Sequence, residues 1–138
     1  MDVLRSLFRR RDPEVLARLT AAVSAIDREL AANLELTSMF DQTHHAVVLE
    51  NGEFARHRAT IERELPSSYP QLADLYARIP DAESAMERRG PAASLKEEDR
   101  AIVEGWEGDA RALQRSLRDS LTEKPRSPLA RLLGRLHG

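Results

Sequence analysis

Apolar residues recur at intervals of three and four along most of the chain. The longest run is Leu16, Leu19, Val23, Ile26, Leu30, Asn33, Thr37 and Phe40, about four heptads of one seam. It predicts a long helix over 13–42. Asp12 can cap this helix, and Pro13 fits its first position. Asn33 and Thr37 are polar members of an otherwise aliphatic row. Two readings of Asn33 stand: it is buried and paired, or Leu34 carries the stripe and Asn33 sits at the seam's edge.

The pattern is less regular over 44–66. It allows two helical turns at 45–51 that stop at Asn51-Gly52, since both residues tolerate left-handed backbone angles. A further helix over 53–65 turns Phe54, Ile61 and Leu65 inward. Residues 66–70, rich in Pro and Ser, read as a loop. Pro70 then opens a helix through Leu72, Leu75, Tyr76 and Ile79, which Pro80 breaks or kinks before 82–89. Gly90-Pro91-Ala92-Ala93 is a connector.

Ser94-Leu95-Lys96-Glu97 has the form of a capping box. The helix it opens is predicted to reach about Thr122, with Ile102, Val103, Trp106, Ala110, Leu113, Leu117 and Leu121 inward. Gly105 and Gly108 flank Trp106 and weaken the helix by about 1 kcal/mol each relative to Ala. Either another helix approaches closely there, or the helix is locally loosened.

Each end carries a short amphipathic pattern. Leu4, Leu7 and Phe8 share one side of a predicted helix over 2–10, flanked by Arg5, Arg9 and Arg10. After the breaker Lys124–Pro128, Leu129, Leu132, Leu133 and Leu136 line a last short helix, with Arg131 and Arg135 on its other side. The chain therefore divides into a basic amphipathic segment (1–11), a helical bundle (12–123) and a linker with a basic amphipathic helix (124–138). The expected fold is all-α, an antiparallel helical bundle of four to six helices with short amphipathic terminal helices.

Residues 28–36 (Arg-Glu-Leu-Ala-Ala-Asn-Leu-Glu-Leu) carry a Glu-Leu-x-x-Asn-Leu-Glu pattern. Gly52, Leu65-Pro66 and Leu75-Tyr76-Ala77-Arg78-Ile79 follow it in order. Over about residues 28–89 this resembles small uncharacterised bacterial all-helical proteins, often membrane-associated. The resemblance implies a helical fold and proximity to a membrane. Such proteins often have an N-terminal transmembrane helix where this chain has a basic amphipathic segment, and the family supplies no activity to inherit.

At 138 residues the chain can bury roughly 70% of its unfolded surface as one domain. Its 4% aromatic content leaves a mainly aliphatic core. It has no cysteine, which excludes disulfides, thiolate metal sites and cysteine nucleophiles. The longest aliphatic run, 46–49, is far short of the ~20 residues of a membrane span. Arg9–Arg11 precede any apolar stretch of a secretory signal, so the expected location is cytoplasmic, up to the inner face of the membrane.

Charge is unevenly placed. Residues 1–11 have four Arg and one Asp, net +3, and residues 124–138 have four basic groups and no acid, net +4. The middle holds 13 basic and 22 acidic residues, net −9. An acidic body argues against a nucleic-acid interface.

Candidate chemistry is sparse. A di-metal bundle needs two inward Glu-x-x-His pairs, and none occurs. Glu53 and His57 are one turn apart, Glu50 could join them, and His44 and His45 would point about 100° apart on a helix. Glu53 and His57 are weak metal candidates, and surface or boundary histidines explain all of this. No nucleophile elbow or phosphate-cradling glycine loop is present. No cofactor or enzymatic role is expected. The leading reading is a non-catalytic interaction or scaffolding protein, contacting a protein partner or a second copy through a bundle face and the basic ends. The alternatives are a peripheral protein on anionic lipid and a small metal-dependent bundle enzyme.

Overall fold

The computed structural model describes residues 12–89 and 95–122. Among them are five α-helices and no strand: α1 (Pro13–Thr43), α2 (Gly52–Glu64), α3 (Tyr69–Ala77), α4 (Ile79–Glu87) and α5 (Glu97–Thr122). Both amphipathic ends, the 90–93 connector and Ser94 of the capping box lie outside the described residues.

α1 begins as its sequence dictates. Asp12 accepts from the Glu14 amide at 2.9 Å, ahead of Pro13 in the first turn. The helix ends at His44, whose φ of 63° and ψ of 19° are left-handed, and whose amide donates to the Phe40 carbonyl at 2.7 Å. This is the expected ending geometry on an unexpected residue. Residues 45–50 are not helical, against the two turns expected there. Asn51-Gly52 does not stop a helix either: Asn51 has φ −139° and Gly52 is the first residue of α2.

Cross-helix pairs fix the topology. On α1, Asn33 faces Glu50 and Glu29 faces Glu53, so α2 runs antiparallel to α1. Thr37 faces Glu107 and Asp27 faces Gln114 and Arg118, so α5 is antiparallel to α1 too. Arg78 meets Asp109 and Arg88 meets Asp99, so the α3–α4 pair is antiparallel to α5. α5 is thus packed on two sides.

Pro80 acts as a breaker. It has no amide hydrogen and its ring opposes the preceding turn, so α3 stops at Ala77 and α4 restarts at Ile79, with Arg78 between them. Arg78 anchors the joint, reaching Asp109 at 2.7 Å and Asp74 at 3.0 Å.

The core joins Leu19, Val23, Ile26 and Leu30 of α1 to Phe54 and Ile61, to Leu72, Leu75 and Ile79, and to Trp106, Ala110, Leu113 and Leu117. A smaller cluster packs Phe40 with Ala85, Met86 and Val103. Two residues expected inside are not. Leu16 is 44% exposed, because the register of α1 against α2 carries it past the end of α2 at Glu64. Ile102 is 38% exposed and lines a groove between α4 and α5 instead of their contact. Gly105 and Gly108 have no close helix: a Cβ added at either would meet nothing within 4 Å.

Candidate functional site

Glu29, Asn33 and Thr37 stand four residues apart on α1 and so share one face. All are buried, at 5%, 0% and 0% exposure. Each reaches a different part of the chain, and together they form the polar centre of the molecule.

Glu29 completes the start of α2. That helix has no side-chain cap of its own from Asn51. Glu29 Oε2 accepts from the Glu53 amide at 2.7 Å, and Oε1 accepts from the Phe54 amide at 3.1 Å and the Tyr76 hydroxyl at 2.9 Å. The carboxylate satisfies free amides of the first turn and sits at the positive end of the helix dipole. Tyr76 is stacked on Phe54 with centroids 4.3 Å apart. Burial, and then the Glu29 charge, push its phenol far above the ordinary range, so it remains a neutral donor.

Asn33 holds the segment that leads into α2. Its Nδ2 donates to the Glu50 carbonyl at 2.8 Å, and its Oδ1 accepts from the Glu50 amide at 2.7 Å. The side-chain amide thereby imitates a strand partner. Glu83 of α4 accepts from the Leu49 amide at 2.9 Å. The non-helical backbone at 45–51 is fastened by side chains, which explains why it needs no helical turns. Of the two readings of Asn33, the buried and paired one is correct; Leu34 is only partly buried.

Thr37 contacts the Leu34 carbonyl at 3.0 Å and Glu107 Oε2 at 2.9 Å. Glu107 is 7% exposed, and burial raises its carboxyl above the ordinary range. Further along the same seam, Gln114 Nε2 donates to the Asp27 carbonyl and carboxylate at 3.2 Å each.

The metal candidates do not assemble a site. His57 Nε2 lies 3.5 Å from Glu53 Oε2, and Arg56 approaches the other Glu53 oxygen at 3.8 Å. Among the described residues, no three His, Asp or Glu side chains gather so as to hold a metal, so Glu50 does not complete the pair. His44 and His45 do not share a helix. The arginine–leucine ends proposed as contact sites lie outside the described residues.

Grooves open between the helices. One of about 440 Å³ between α3 and α5 has Asp74, Arg78 and Asp109 on its wall, and these are paired with one another. Among the described residues, no helix is long and apolar enough to cross a membrane.

The buried roles of Glu29, Glu83 and Glu107 escaped the sequence reading, as did the bond from Tyr76, a residue it had placed on its helix, to Glu29. A signal for Glu29 existed: stepping back one turn from Thr37 and Asn33 lands on it. Glu107 and Gln114 had none, because each follows an inward apolar residue, and they are buried only because α5 is covered by α1 as well as by α3–α4.

No family model, curated protein or solved structure matches the chain.

Proposed function

We propose that this chain is a non-catalytic helical interaction or scaffolding protein whose contacts are made with a second copy of itself through its basic amphipathic ends. The observation that carries the reading is the internal use of its buried polar groups. Glu29 is filled by three donors, Asn33 by one backbone unit, and Gln114 by Asp27. A general base or nucleophile needs a free lone pair directed at a substrate, and these groups direct theirs at the fold. Association chemistry resides elsewhere: in the leucine faces at 4–8 and 129–136, and in exposed aliphatics such as Val48, 81% open to solvent.

The test is light scattering on the full chain beside Leu4→Asp/Leu7→Asp and Leu132→Asp/Leu136→Asp. Self-assembly gives a mass above 15.5 kDa that falls toward it in the variants, with helicity of the body kept.

The charge layout favours a second reading. Ends of +3 and +4 on a body of −9 suit anchoring to anionic lipid, with the body held off the surface. Two weak anchors on one chain act together by avidity. Co-sedimentation with phosphatidylserine vesicles, lost in the same variants and weakened by salt, supports this reading.

A further inference from the structure

The groove between α3 and α5 joins apolar groups from Pro70, Ala112 and Leu113 to the charges of Asp74, Arg78 and Asp109. α3 supplies Asp74 and α5 supplies Asp109, with Arg78 reaching them at 3.0 Å and 2.7 Å. One guanidinium thus serves two carboxylates, and a negative charge is left over. The Asp74 and Asp109 side chains are 68% and 58% exposed, so both keep lone pairs open to a donor from outside. Ala112 is exposed as well.

Such a groove fits a segment with an apolar face and cations beside it. The chain itself carries one. Leu129, Leu132, Leu133 and Leu136 recur at the spacing of helix-in-groove anchors, with Arg131 and Arg135 beside them. Residues 124–138 contain four basic groups and no acid, whereas the basic segment at the other end includes Asp2. To reach its own groove this tail would have to turn back after Thr122 and retrace about 14 Å of α5 to Leu113. Pro125 and Pro128 stand in the tether, and proline favours extended backbone there over a tight return.

We propose that the α3–α5 groove receives residues 129–136 of a second copy, leucines against Ala112 and Leu113, Arg131 and Arg135 toward Asp74 and Asp109. The inference rests on the self-association proposed above and names the surface of the body that takes part in it. In a two-fold pair each copy gives one tail and receives one, so the two contacts act together.

The test is light scattering of the full chain and its variants over a range of concentrations, with far-UV helicity recorded for each. Ala112→Arg puts a cation on an exposed helical site in the groove and is expected to raise the dissociation constant about tenfold or more. Asp109→Arg and Arg131→Asp/Arg135→Asp each weaken assembly, and combining them restores part of it, which a role of Asp109 confined to its own fold would not give. The absence of cysteine allows a second readout. Copies bearing Ala112→Cys and copies bearing Leu132→Cys, mixed and oxidised, are expected to form a disulfide-linked pair at twice 15.5 kDa. Assembly lost in Leu132→Asp/Leu136→Asp but unchanged in Ala112→Arg and Asp109→Arg overturns the groove and leaves self-association standing. An Ala112→Cys/Leu132→Cys chain that closes on itself at 15.5 kDa puts the tail in its own groove and overturns the exchange. A full chain that stays at 15.5 kDa, whether or not it binds phosphatidylserine vesicles, overturns both.

Discussion

The Glu29 carboxylate, on α1, caps α2 from across the core by accepting the Glu53 amide at 2.7 Å. A capping residue usually precedes its own helix in sequence; this one lies more than twenty positions earlier, with the 45–51 segment between. Capping is thereby turned into a tertiary contact that ties α2 to α1 and, through Tyr76, to α3. Glu29→Ala strands three donors at once. It is expected to lower stability by about 3 kcal/mol or more, read from urea unfolding at neutral pH. Tyr76→Phe removes one donor and costs about 2 kcal/mol. The two losses combine to less than their sum, because both remove the Tyr76–Glu29 hydrogen bond.

Asn33→Ala leaves the Glu50 amide and carbonyl without their side-chain partner. The expected cost is about 2 kcal/mol, with faster hydrogen exchange at the Glu50 amide than at amides in the middle of α5. Asn33→Asp retains an acceptor for the amide and opposes the carbonyl, so it is expected to be the worse of the two at neutral pH. Unchanged Glu50 exchange in Asn33→Ala contradicts the pairing.

Gly105 and Gly108 have helical backbone, no positive φ, and open space where a Cβ would stand. Gly105→Ala and Gly108→Ala are each expected to stabilise the protein by about 0.5–1 kcal/mol in thermal unfolding. His44 presents the opposite case, a side chain on a left-handed backbone at φ 63°. His44→Gly relieves that strain and is expected to raise stability by about 0.5 kcal/mol.

These positions show what was legible in the sequence. The seam of α1 could be read because its inward positions, Leu19, Val23, Ile26, Leu30, Asn33, Thr37 and Phe40, are all buried and keep strict helical spacing. The break at Pro80 was legible because its cause is local and covalent. The end of α1 was placed within a residue or two, but its left-handed cap falls on His44, where no glycine signals it. The 45–51 segment was misread because Asn33 and Glu83 hold its backbone from elsewhere in the chain. Glu107 was invisible for a related reason: its burial depends on α5 having two covered sides, a property of the assembled bundle.

Arg88 donates to Asp99 through Nε at 3.0 Å and a terminal guanidinium nitrogen at 2.7 Å, and these bonds hold the Asp99 carboxyl below the ordinary aspartate range. A depressed folded value means the pair's contribution is present above about pH 3.9, the unfolded aspartate value, and is lost as the pH falls through the folded one. Arg88→Ala is expected to move the Asp99 midpoint upward in a carboxyl titration. An unmoved midpoint would show that the guanidinium is not its cause.

The proposed function rests on the leucine–arginine ends being the handles through which copies of the chain meet. Light scattering of the full chain and of Leu132→Asp/Leu136→Asp over a range of concentrations tests this most directly. The account predicts a multiple of 15.5 kDa for the full chain and a shift toward 15.5 kDa in the variant, with its far-UV helicity retained. A full chain that stays at 15.5 kDa, with a variant that loses its cooperative fold, would place those leucines in the core and contradict it.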